Sequence, residues 1–171
     1  MQGWQQFYEM LGGAAATLLG LLFVAVSMNA EIILSSAHKH SRQLAEQAFQ
    51  NYLAVLVVSL LVELPDNTRG PLGYTLLAIS AIWAVWSVIR MGTTLRQPLP
   101  GEKRSDPLRR FIATILGFGL IIYAAYKMVT GQAGYADMVA SGAMLLLISA
   151  TISSWQLLTR VAEDKYREHK D

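Results

Sequence analysis

A carboxylate, an amide and two hydroxyls interrupt one of the most apolar stretches of the chain. Thr17, Ser27, Asn29 and Glu31 lie within TLLGLLFVAVSMNAEIIL, residues 17–34. An ionisable group inside such a helix is costly and faces a cavity or a partner. Near a helix end it can instead reach the headgroup level cheaply. At 100° per residue, Gly13, Thr17, Gly20, Val24, Ser27 and Glu31 fall within about 40° of one line. Ser35 and His38 continue that line if the helix runs on. The opposite side carries Leu18, Leu19, Leu22, Val26, Ile33 and Asn29, and Gly12, Ala16 and Gly20 form a second row of small residues. Two uses fit the stripe. It is either a face for close helix packing or the wall of a hydrated path in which Glu31 meets cations. Asn29 points about 160° from Glu31 and so needs a different partner, for which Asn51 is the candidate.

Other acids gather where the next apolar runs begin and end. Glu63, Asp66 and Asp137, with Glu9, would form an acidic entrance around an oligomer axis and concentrate cations; ordinary solvated charge, with Glu63 paired to Arg69 or Lys127, is the alternative. His38 and His40 diverge by about 200° on a helix, and no Cys or acidic cluster completes a metal shell. No metal or cofactor is expected. The chain has no H-E-x-x-H, G-x-S-x-G, S-x-x-K or P-loop motif, and Ser141, Ser149, Ser153 and Ser154 sit among Ala and Gly as in ordinary helix packing. An enzyme is not expected.

The elements that position these residues are helices. Hydrophobic residues make up 53% of the 171 positions and charged ones only 15%, against about 25% charged in soluble domains. Five apolar runs stand out, over residues 10–34, 48–64, 72–91, 108–129 and 137–159, each near the roughly 17–25 residues that cross a bilayer core. LAVLVVSLL and GAMLLLISA are apolar all round, unlike the two-faced helices of a soluble core. The sequence predicts an all-α, polytopic bundle of five transmembrane helices in one domain, with 160–171 as a short charged tail extending the last helix. MQGWQQFYE lacks the basic start of a signal peptide, so the first run is expected to be a permanent span. The absence of cysteine excludes disulfides and thiolate metal sites.

Charge orients the bundle. With five spans, one side receives Lys39, Arg42, Arg90, Arg96, Lys103, Arg104, Arg109, Arg110, Arg160, Lys165, Arg167 and Lys170, which are twelve of the fourteen basic residues; Arg69 and Lys127 remain opposite. The positive-inside rule makes the basic side cytoplasmic, with the N-terminus outside. Trp83, Trp86 and Trp155 towards the inner side, and Trp4, Phe7, Tyr8, Tyr123 and Tyr126 towards the outer, suit interfacial belts. PDNTRGP (65–71) and TGQAG (130–134) read as short turns. RQPLPGEKRSDP (96–107) is the longest connection, with Asp106 and Pro107 suited to begin the fourth helix. Arg104, Arg109 and Arg110 are placed to meet lipid headgroups on the inner side.

GAAATLLGLLFVAVSMN (13–29), then IIL, Arg42, Ala45 and the run closing at Leu64-Pro65, resembles a family of small bacterial multi-span proteins often labelled hypothetical or modulator of FtsH protease. Its members carry GLLFVAxSxN in the first helix, which matches Ser27 and Asn29 here. The turn VELPDN stands where VPGQ is expected. The resemblance implies a multi-pass protein of the bacterial inner membrane. Two functions follow as expectations. One is a homo-oligomer with a cation pathway lined by the first helix; the other is a non-enzymatic interaction protein that modulates a membrane protease or another membrane partner. The expected partners are the lipid bilayer, further copies of the chain and cations or a protease, not nucleic acid. A reporter fused after Asp171 should read as cytoplasmic and one before Gln2 as external; both ends on one side would refute five spans.

Overall fold

A short left-handed turn shows how closely local sequence rules are followed. TGQAG ends one helix and starts the next, with Gly131 at φ 72° and Gly134 at φ 81°. Gly131 N–H donates to the Met128 carbonyl at 3.3 Å and Gln132 N–H to that of Lys127 at 2.9 Å. This is the paired closure of a Schellman motif, which satisfies carbonyls that a helix end leaves open.

The computed structural model describes residues 2–34, 39–64, 69–96 and 105–168. Six helices account for nearly all of them: α1 (Gln2–Met28), α2 (Ala30–Leu34), α3 (Lys39–Glu63), α4 (Arg69–Arg96), α5 (Ser105–Val129) and α6 (Tyr135–Glu168). Five are long and apolar enough to cross a membrane, over Trp4–Met28, Ser41–Glu63, Pro71–Gly92, Phe111–Val129 and Tyr135–Glu163. The all-α architecture with five long apolar helices matches the apolar runs. The ends differ. α3 begins at Lys39 rather than residue 48, because HSRQLAEQ makes good helical turns that carry no apolar signal. α1 begins at Gln2 and closes at Met28, and Asn29 separates it from the single turn of α2. α6 is 34 residues long, roughly 50 Å at 1.5 Å per residue, so it outruns a bilayer core of about 30 Å.

Helix neighbours do not follow chain order. α3 and α6 pack at the centre, α1 lies on α3, α5 lies on α6, and α4 lies on α5. α3 and α4 touch only slightly although a short connection joins them. One apolar cluster fills the end that holds the α1 N-terminus, around Tyr8, Leu11, Val55, Val58, Leu76, Phe118 and Ile121. A second fills the basic end, around Leu22, Ile33, Leu44, Tyr52, Leu157 and Val161.

Small residues set the tightest contact. A Cβ built on Gly142 would lie 2.7 Å from the Gly117 carbonyl oxygen, and one on Gly117 would lie 2.9 Å from Leu146. α5 and α6 therefore approach backbone to backbone, as small residues allow in membrane bundles. Gly142→Ala should lower thermal stability in detergent by about 1–3 kcal/mol through overpacking. Gly119→Ala, where nothing lies within 4 Å of the added carbon, should not destabilise. Equal losses at both positions would refute the close approach.

Candidate functional site

The candidate site begins with how α1 is turned. Its buried residues are Tyr8, Leu11, Gly12, Ala15 and Leu22, which face α3 and the bundle. Gly12 is packed close: a Cβ there would meet that of Ser59 on α3 at 3.0 Å. On the other side, Gly13, Thr17, Gly20, Val24, Ser27 and Glu31 are all exposed. A Cβ at Gly13 or Gly20 meets nothing within 4 Å. Thr17 satisfies its hydroxyl by donating to the Gly13 carbonyl at 2.8 Å. α1 thus leaves its small and polar row outward, beside the exposed Leu21, Phe23 and Met28, while Tyr8, Leu11 and Leu22 pack into the bundle. It is also the least buried span, 22% against 44% for α3 and α6.

Asn29 and Asn51 do not meet. Asn29 Nδ2 donates back to the Ala25 carbonyl at 2.8 Å, and its backbone N–H takes the tighter route to Val26 at 3.2 Å. Such back-bonding competes with the regular ladder and bends helices, which accounts for the break before Glu31. The expected pairing fails because an amide that can reach its own helix's carbonyl needs no second helix.

Asn51 instead organises a buried polar layer. Its Nδ2 donates to Thr114 Oγ1 at 3.0 Å and to Ser149 Oγ at 3.3 Å. The two hydroxyls lie 3.0 Å apart. Gln47 Nε2 reaches Thr114 Oγ1 at 3.4 Å. The layer joins α3, α5 and α6 between the two apolar clusters, and Asn51, Thr114 and Ser149 are all buried. Asn51 Oδ1 has no hydrogen-bond partner among the described residues. One turn away, Ser154 donates to Tyr52 Oη at 3.4 Å and Tyr52 to Thr151 Oγ1 at 3.3 Å.

The acids of the opposite end are not equivalent. Asp137 is exposed at the start of α6, whereas Glu63 is half-buried, with Oε1 enclosed and without a hydrogen-bond partner among the described residues. Asp66 lies outside the described residues. Tyr8 Oη donates to the Ala136 carbonyl at 3.1 Å, tying α1 to the start of α6. Lys127 Nζ stands 5.9 Å from the centre of the Tyr123 ring. Trp86 and Trp155 are exposed, as an interfacial belt requires, while Trp83 is half-buried and packs on Phe118 at 6.2 Å between ring centres.

Arg104 lies outside the described residues, as does His38. Arg109 and Arg110 belong to α5, but their side chains, like that of His40, lie outside the description. Among the described residues no three His, Cys, Asp or Glu side chains gather as a metal site. Sequence reasoning missed one charged cluster. Glu46 accepts from Arg42 Nε at 2.9 Å, a spacing of four residues, and from Arg90 of α4. The first pair was readable from its spacing; the second joins residues 44 apart.

No family model, curated protein or solved structure matches the chain. The polar layer yields its own test. Thr114→Val should destabilise the detergent-solubilised protein more than Ser153→Ala, because Thr114 is the node for Asn51, Gln47 and Ser149, whereas Ser153 bonds only the Ser149 carbonyl of its own helix. Single interhelical bonds in membranes average about 0.6 kcal/mol, so the node should cost about 1–2 kcal/mol. Equal melting shifts would refute its central role.

Proposed function

We propose that the chain is a homo-oligomeric integral membrane protein of the bacterial inner membrane whose copies meet along the outward face of α1 and enclose a cation path there. The single observation that carries the reading is the uncovered row of small and polar residues along α1. Leu22 is buried on α3 while Gly13, Thr17, Gly20, Ser27 and Glu31 remain uncovered. Lipid tails give no reason to present Gly, Ser and Thr. Another helix does, because small residues permit close backbone approach and hydroxyls form interhelical bonds. Around a closed symmetry axis the same face is repeated in every copy. Glu31, exposed beyond the Asn29 break, then contributes a ring of carboxylates that attracts cations and offsets their dehydration.

Glu63 is a weaker entrance residue than Asp137 on this reading, since part of its carboxylate is turned into the protein. The non-enzymatic modulator of a membrane protease is the second use of the same face, with a partner's helix in place of a second copy. The mass of the purified particle separates the two.

Gly20→Leu is the decisive variant because nothing inside the chain obstructs a side chain there. The protomer should stay folded, while the particle mass in detergent should fall to that of a monomer. An unchanged oligomer would remove α1 from the interface. A wild-type monomer that co-purifies with a protease would favour the modulator. Glu31→Gln should preserve assembly yet reduce cation flux into liposomes several-fold, since the amide keeps the shape and loses the charge. Unaltered flux would leave the oligomer without its proposed path.

A further inference from the structure

α1 and α4 flank α3 without closing over its basic half, which leaves a cleft of about 700 Å³ on the side of the bundle. That size falls within the roughly 300–1,000 Å³ of ordinary ligand pockets. Leu22 and Val26 of α1 form one wall, Ile82 and Trp86 of α4 the other, and Phe49 and Leu53 of α3 the floor. Ile82, Trp86 and Phe49 are exposed, so the apolar interior opens sideways, between helices. The cleft lies on the α3 side of α1, away from the small polar stripe.

One end of this apolar slot is charged. Glu46, Gln50 and Arg90 line it. Glu46 accepts from Arg90 on Oε2 and from Arg42 on Oε1, so among the described residues that line or border this end two guanidinium groups share one carboxylate. Arg42 keeps 60% of its side chain exposed. Glu46 and Leu53 are two helical turns apart, which places roughly 10 Å of apolar floor next to the charge. A partner helix would match the walls but would have to bring a carboxylate to the one cationic end. A phosphate-bearing lipid matches both. Its acyl chain needs only apolar surface, and its phosphate suits the forked donors of arginine.

We infer that this cleft binds an anionic membrane phospholipid, with an acyl chain along Leu53, Ile82 and Trp86 and its phosphate at the Arg42–Arg90 end. Basic pockets between transmembrane helices hold anionic headgroups by the same combination. The inference rests on membrane embedding, not on self-association or conduction, so it survives if the oligomer reading fails.

The test uses the full chain in nanodiscs, with Trp4 and Trp155 replaced by Phe so that Trp83 and Trp86 report from the cleft. Phosphatidylglycerol with brominated chains, at low mole fraction in phosphatidylcholine, should quench as if enriched about fivefold over random mixing, equivalent to about 1 kcal/mol. Brominated phosphatidylcholine at the same fraction should show no enrichment. Arg42→Gln, at an exposed side chain, should bring the anionic probe close to random mixing. Val26→Phe with Leu53→Phe, which fills the slot and leaves every charge in place, should do the same. Equal quenching by the two probes would overturn the inference, as would enrichment that survives either variant. Quenching below random mixing by both probes would mean that protein covers the cleft, and would also overturn it.

Discussion

The bundle depends on one small triangle of hydrogen bonds between Asn51, Thr114 and Ser149. Apolar side chains attract one another without direction, so helices joined only by leucine and valine can slide and rotate at little cost. A buried amide and two buried hydroxyls cannot, because each displaced polar group loses partners that the surroundings do not replace. The triangle therefore fixes the depth and rotation of α3, α5 and α6 together. Everything else is arranged on that trio. α5 and α6 close to backbone contact at Gly117 and Gly142, α4 lies against α5, and α1 lies against α3.

Because α1 and α4 are peripheral, their outward faces carry the molecule's chances of meeting something else. The two helices answer differently. α4 turns Ile82, Val85, Trp86, Val88 and Ile89 outward, an apolar surface that hydrocarbon satisfies. α1 mixes Leu21, Phe23 and Met28 with its row of glycines and hydroxyls. The contrast lies in residue size and polarity.

The five long apolar helices were legible because run length and composition alone set them apart. The helix ends were not: residues 39–47 are helical through ordinary propensity, and a search for apolar runs passes over them. The division of α1 into two faces was also legible, since a period of 100° sorts Leu22 from Gly20 without knowledge of any neighbour, but which face meets the bundle was not. That same period gives direction on one helix and no identity for what lies beyond it. Asn29 and Asn51 were therefore joined in expectation and separated in the structure, where the amide nitrogen of one bonds its own helix and that of the other bonds hydroxyls of α5 and α6. Thr114 gave no signal of its own and Ser149 was read only as ordinary packing, since sequence alone does not separate a hydroxyl that bonds another helix from one that bonds its own backbone, as Ser153 does. The pair of Arg42 and Glu46 was missed although its spacing of four residues could have shown it, and Arg90 could be added only once α4 was seen beside α3.

The triangle also has a history in time. Asn51 precedes Thr114 by 63 residues and Ser149 by 98, and chains are made from the N-terminus onward. During synthesis α3 exists before either hydroxyl that will receive its amide protons. α1 and α3 can pair early, and α4 with α5 later, but the central helix α6 is the last to be made. The two early pairs are thus waiting halves of a molecule, joined when the final span arrives between them. A chain that stops short of Ser149 keeps the Asn51–Thr114 bond but lacks the helix that joins the two pairs, so the last span to be made is the one that completes the polar layer.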